Sequence, residues 1–149
     1  MTKVRLPEQI DPLLLSKTGA RIAGELELKT MGRLGEVLNS SRGQVQLQLD
    51  FGKDEAGIAQ ITGHIQAELE LICQRCGEPM IVPMDIHPQL GPVMTALQAD
   101  QLPPVYEPLI TNGETVRLRE LVEDELLLAL PLVVKHPDEK CPVIFPRQV

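Results

Sequence analysis

Tryptophan is missing from this chain, and Phe51, Tyr106 and Phe145 are its only aromatic residues. Proteins that hold single-stranded nucleic acid by stacking need several exposed rings. Three scattered aromatics make no such platform, and the core must be aliphatic. Long apolar runs are also missing. A membrane-spanning helix needs roughly 18 or more consecutive apolar residues, whereas the longest run, Leu126 to Val134, is short and interrupted by Pro131. The opening residues, Met1-Thr2-Lys3-Val4-Arg5-Leu6-Pro7, lack the apolar segment of a secretory peptide. These absences set the expectation of a cytoplasmic protein without a membrane partner. There is no Gly-rich phosphate loop, no Gly-x-Ser-x-Gly elbow and no carboxylate pair that stands out from ordinary surface acids. Nothing therefore points to an enzyme or to a small-molecule substrate.

Positive charge is in short supply too. The formal net charge is −7, unevenly placed. Residues 1–43 hold seven Lys/Arg against five Asp/Glu, and residues 44–149 hold seven against sixteen, a net of −9. Contacts from Lys and Arg to phosphate supply most nonspecific nucleic-acid affinity. So acidic a chain is a poor direct RNA binder and a better match for a basic partner.

What is present reads as one domain over 1–149, since 149 residues with 43% hydrophobic content suit a single globular core. Residues 1–18, with Pro7 and Pro12, read as an extended arm with a short helical stretch near 11–17. Residues 20–28 alternate at Ile22, Gly24, Leu26 and Leu28, a strand with one buried face. Thr30 is placed to cap a helix over about 31–39, with Met31, Leu34, Val37 and Leu38 on one side. Residues 44–51 and 58–73 alternate again and predict a long antiparallel hairpin around a turn at 53–57, with a bend or bulge at Gly63. Met80, Val82, Met84 and Ile86 predict a further strand. Residues 87–113 carry five prolines and read as a long loop, with a short helix near 95–99. Leu118, Leu121, Val122, Leu126 and Ala129 form a helical stripe over about 115–130, stopped by Pro131. Residues 132–149 read as an irregular tail. The expected fold is α+β: an antiparallel β-sheet or partial barrel with two principal helices, about 31–39 and 115–130.

The sharpest motif is Cys73-Gln74-Arg75-Cys76-Gly77, at the end of a predicted strand. Two cysteines two apart and a following glycine can present two thiolates to one zinc. Structural zinc takes four ligands, and Cys141 with His136 would complete a Cys3His set. Reduced thiols compete with this reading, because no second CxxC pair exists and Cys73 has the parity of a core residue. A thioredoxin-like redox pair fits less well, as no βαβ unit surrounds it. His64 has solvent parity, and nothing pairs with His87 by spacing. Glu123-Asp124-Glu125 sits on the second helix, with Glu125 near the apolar stripe. A carboxylate there needs a partner, and Arg75 is the expected one.

Leu6-Pro7, Asp11-Pro12, Cys73-Gln74-Arg75-Cys76-Gly77, Tyr106-Glu107-Pro108 and Val122-Glu123-Asp124-Glu125-Leu126-Leu127-Leu128-Ala129-Leu130-Pro131, followed by His136 and Cys141, together resemble the YceD family. The members of that family are large ribosomal RNA subunit accumulation proteins. The resemblance implies a ribosome biogenesis role without catalysis. Combined with the charge, it points to a partner that is a basic large-subunit ribosomal protein or an assembly factor, bound through Arg75, Glu120, Glu123, Asp124 and Glu125, with rRNA reached indirectly. Direct rRNA binding, helped by Lys3, Arg5, Lys17 and Arg21, and a zinc- or redox-responsive regulator are the alternatives.

Overall fold

The structure, a computed structural model, describes residues 6–136. Strand β1 (Gln9–Ile10) leads into helix α1 (Pro12–Thr18). Asp11 caps this helix by accepting the Leu14 N–H at 3.2 Å, Pro12 occupies its first turn, and Gly19 ends it at φ +70°. Strand β2 (Arg21–Glu27) follows the expected alternation. The helix expected over 31–39 is much shorter. A 3-10 turn (Leu28–Thr30) is followed by the single-turn α2 (Gly32–Gly35), with Met31 rather than Thr30 at the cap position. Two glycines in four residues weaken a helix. The chain then leaves it to join the sheet: Asn39 N–H donates to Glu70 O at 2.8 Å, and Ser40 bridges Glu70.

The central hairpin is the one the alternation predicts. β3 (Gln44–Lys53) and β4 (Ala59–Ile72) pair antiparallel from Gln46↔Gln66 to Lys53↔Ala59 without a slip. Gly63 therefore marks no bulge. It allows a close backbone approach instead, since a Cβ there would stand 2.0 Å from Gln48 O. β5 (Pro79–Ile86) and β6 (Gln89–Val93) lie end to end along the other edge of β4. Ile65↔Ile86 and Thr62↔Gln89 belong to one continuous register, interrupted only at His87-Pro88.

The expected loop 87–113 is largely ordered structure: β6, then α3 (Ala96–Asp100) and β7 (Glu107–Ile110). Thr95 caps α3 by accepting the Gln98 N–H at 3.2 Å. β6 and β7 pair in parallel, so the sheet is mixed, with order β2-β3-β4-β6-β7 and β5 beside β4. Among the described residues the strands do not close into a barrel. β8 (Val116–Arg117) pairs with β1 and feeds α4 (Leu118–Ala129), the expected second helix. No described helix is long and apolar enough to cross a membrane.

One side of the sheet supplies Val45, Leu49, Ile61, Ile65 and Leu69 to an aliphatic core. Leu118, Val122 and Leu126 of α4 and Met31 and Leu34 around α2 complete it. Burial at roughly 25 cal/mol per Å2 of apolar surface is the main stabilising term here. Tyr106 is buried as well, and its hydroxyl donates to Asp54 Oδ2 at 2.6 Å, fastening the β6–β7 connection to the β3–β4 turn. That bond holds the Asp54 carboxyl below, and the Tyr106 phenol above, its ordinary range.

Candidate functional site

β4 and β5 are joined by residues 73–78, which contain the two-cysteine motif. Cys73 N–H donates to Glu78 O at 2.9 Å, and Gly77 N–H returns to Cys73 O at 2.8 Å. Gly77 adopts φ +76°, a conformation that side chains disfavour. This tight reversal folds Cys76 back toward Cys73, which is fully buried.

The segment after α4 comes to the same place. Gln74 N–H donates to Val134 O at 2.7 Å, and Arg75 Nη2 donates to His136 O at 2.9 Å. These two bonds set His136 against the knuckle. Its N–H donates to Cys73 Sγ at 3.4 Å, and its Nδ1 lies 3.5 Å from Cys76 Sγ. The ligand atoms of Cys73, Cys76 and His136 all lie within 4.8 Å of one another. Burial pushes the Cys73 thiol up, but N–H groups of Cys76, His136 and Arg75 and the His136 side chain outweigh it and bring it down to about 5. Thiolate is the form that ligates metal and attacks electrophiles. Cys141, the fourth ligand expected from the sequence, lies outside the described residues, as do Lys3 and Arg5.

The acids of α4 divide differently from the expectation of a continuous docking face. Glu123 is only 4% exposed. Its carboxylate accepts the Leu34 N–H at 2.8 Å and Arg33 Nη2 at 3.2 Å. It thereby caps α2 from a distance, where Met31 offers no side-chain oxygen. Asp124 is exposed and pairs with Arg33 at 2.7 Å. Glu125 is buried beside Glu107 of β7, and not tied to the knuckle through Arg75 as expected. Burial, then Glu107, raise the Glu125 carboxyl to about 7. Glu120 remains exposed in the first turn of α4. Two of the four acids are thus inward-facing, where a docking partner has no access to them.

A second cluster, His64, Asp85 and His87, is not evident from residue spacing. The common register of β5 and β6 sets His87 opposite His64, and their rings stack at 4.4 Å between centroids. Asp85 hydrogen-bonds His64 and lies 3.7 Å from His87 Nε2. The three form a second His/carboxylate group on the solvent side of the sheet. A strand reading that continued through Pro88 would have found the pairing.

A family model described as large ribosomal RNA subunit accumulation protein YceD matches residues 61–148. A protein of that name from Haemophilus influenzae (strain KW20/Rd) is 36% identical over 151 residues, covering 100% of this chain and 86% of its own length. No solved structure matches the chain.

Proposed function

Because this chain belongs to the YceD family of large ribosomal RNA subunit accumulation proteins, we propose that it supports accumulation of the large-subunit rRNA as a non-catalytic, cytoplasmic binding protein. Its partner is a basic ribosomal protein of the large subunit or an assembly factor, and rRNA is reached through that partner.

One observation carries the choice of a basic protein over RNA. The solvent face of β2–β5 presents Glu25, Asp50, Glu68, Glu70 and Asp85. Among the described residues of those strands, Arg21 is the one Lys or Arg on that face, and it is paired with Asp50 at 2.5 Å. Such a surface repels phosphate and attracts Lys- and Arg-rich segments, raising the association rate at low salt. Glu120 is an exposed acid on the opposite layer, whereas the burial of Glu123 and Glu125 assigns them to the fold.

Depletion of the protein from its host should lower the ratio of large- to small-subunit rRNA. Wild-type chain should restore that ratio, and a folded Glu25→Lys/Glu68→Lys variant should not. An unchanged ratio on depletion removes the function, and full rescue by the double variant removes the acidic sheet face as the docking surface.

A further inference from the structure

We propose that Cys73, Cys76 and His136 bind a single structural zinc ion, which fastens the segment after α4 to the tip of the β4–β5 hairpin. The claim does not depend on the ribosomal reading, since it concerns only these side chains and their scaffold.

The geometry points to a d10 ion with mixed sulfur and nitrogen ligands. Zinc–sulfur bonds of about 2.3 Å and zinc–nitrogen bonds of about 2.0 Å at a tetrahedral angle put sulfur and nitrogen about 3.5 Å apart. Cys76 Sγ and His136 Nδ1 are separated by 3.5 Å. All three donor atoms fall within 4.8 Å of one another, close enough to share one centre. The outer shell is also provided. The His136 N–H donates to Cys73 Sγ at 3.4 Å, an arrangement that stabilises a sulfur carrying negative charge. Arg75 holds the His136 carbonyl at 2.9 Å and so fixes the backbone that carries the imidazole. The three donors leave the fourth position of a tetrahedral ion open to water.

Two thiolates and an imidazole prefer zinc to magnesium or calcium, which take oxygen ligands. The sheet-face group of His64, Asp85 and His87 is the rival site within the same molecule. It offers no sulfur, and the side chains of Asp85 and His87 are 63% and 70% exposed.

The test is elemental analysis of the full chain, purified under reductant without an affinity tag, chelator or added metal. About one zinc per chain is expected to persist through gel filtration. The Cys76→Ser and His136→Ala variants should each lose it, and His87→Ala should keep it. If the knuckle variants fail to fold, the wild-type protein decides. Titration with a mercurial should release zinc in step with thiol modification, and cobalt substitution should show thiolate-to-metal charge transfer in the near ultraviolet. Metal-free protein with reduced thiols, a Cys73–Cys76 disulfide, or metal lost in His87→Ala but kept in Cys76→Ser would each overturn the proposal.

Discussion

Replacing Glu123 separates a structural acid from a docking acid on the same helix. The Glu123 carboxylate accepts two hydrogen bonds, from the buried Leu34 N–H at 2.8 Å and from Arg33 at 3.2 Å. Glu123→Ala strands the Leu34 N–H in the interior and removes a charge-assisted bond. An unsatisfied buried donor costs about 1–3 kcal/mol, and bonds to charged groups contribute about 1.5–3 kcal/mol. Arg33 is half exposed, so solvent screens its share. The expected loss is about 3 kcal/mol in total, a large fraction of the stability of an ordinary domain. Glu120→Ala, one turn earlier and exposed, should stay within about 0.5 kcal/mol. Urea denaturation at unchanged m-value measures both, and hydrogen exchange at the Leu34 amide locates the effect. Glu123→Gln keeps an oxygen for Leu34 and should recover much of the loss. A Glu123→Ala protein within about 0.5 kcal/mol of wild type, with Leu34 still protected, would refute the capping argument.

Glu125 makes stability depend on pH. Its folded pKa of about 7 lies above the ordinary 4.5. The folded protein therefore holds more protons in that window, and this group's contribution falls as pH rises through it. Glu125→Gln should remove that slope and stabilise the protein by roughly 1–2 kcal/mol at about pH 8 after allowance for solvent screening, with no gain below about pH 4. Parallel melting curves for the two proteins across this range would contradict the burial of the charge. Gly63→Ala should cost about 1–3 kcal/mol, because its methyl would meet the Gln48 carbonyl and force β3 and β4 apart; an unchanged denaturation midpoint would show that the approach is looser. Tyr106→Phe should cost about 1 kcal/mol and let the Asp54 carboxyl titrate closer to its ordinary range, read by NMR. No movement of Asp54 would mean that the bond between them does not form in solution.

Regular alternation made β2, β3, β4 and β5 legible in the sequence, because each buries one side and wets the other. The stripe through Leu118, Leu121, Val122 and Leu126 gave α4 for the same reason at helical period. Residues 87–113 were obscured by proline. Pro92 sits in β6 beyond the last β4 pair at Leu90, and Pro108 lies in β7 at the sheet margin, so neither must donate to a ladder on both sides. The meeting of Cys73, Cys76 and His136 followed from chemistry-bearing residue types. The acids of α4 did not yield to that reasoning. Whether Glu123 faces solvent or Leu34 depends on where α2 lands, a long-range contact that no local period encodes. His64 and His87 were hidden likewise, since their pairing needs a register carried across Pro88.

We have proposed that this acid-rich protein reaches the large subunit by gripping a basic protein. The direct measurement is affinity capture of the full chain from native lysate of its host, with and without ribonuclease treatment. A basic large-subunit protein or assembly factor that stays bound after ribonuclease, and is lost with Glu25→Lys/Glu68→Lys, is the predicted result. Capture of rRNA that carries every bound protein away when digested would contradict the account.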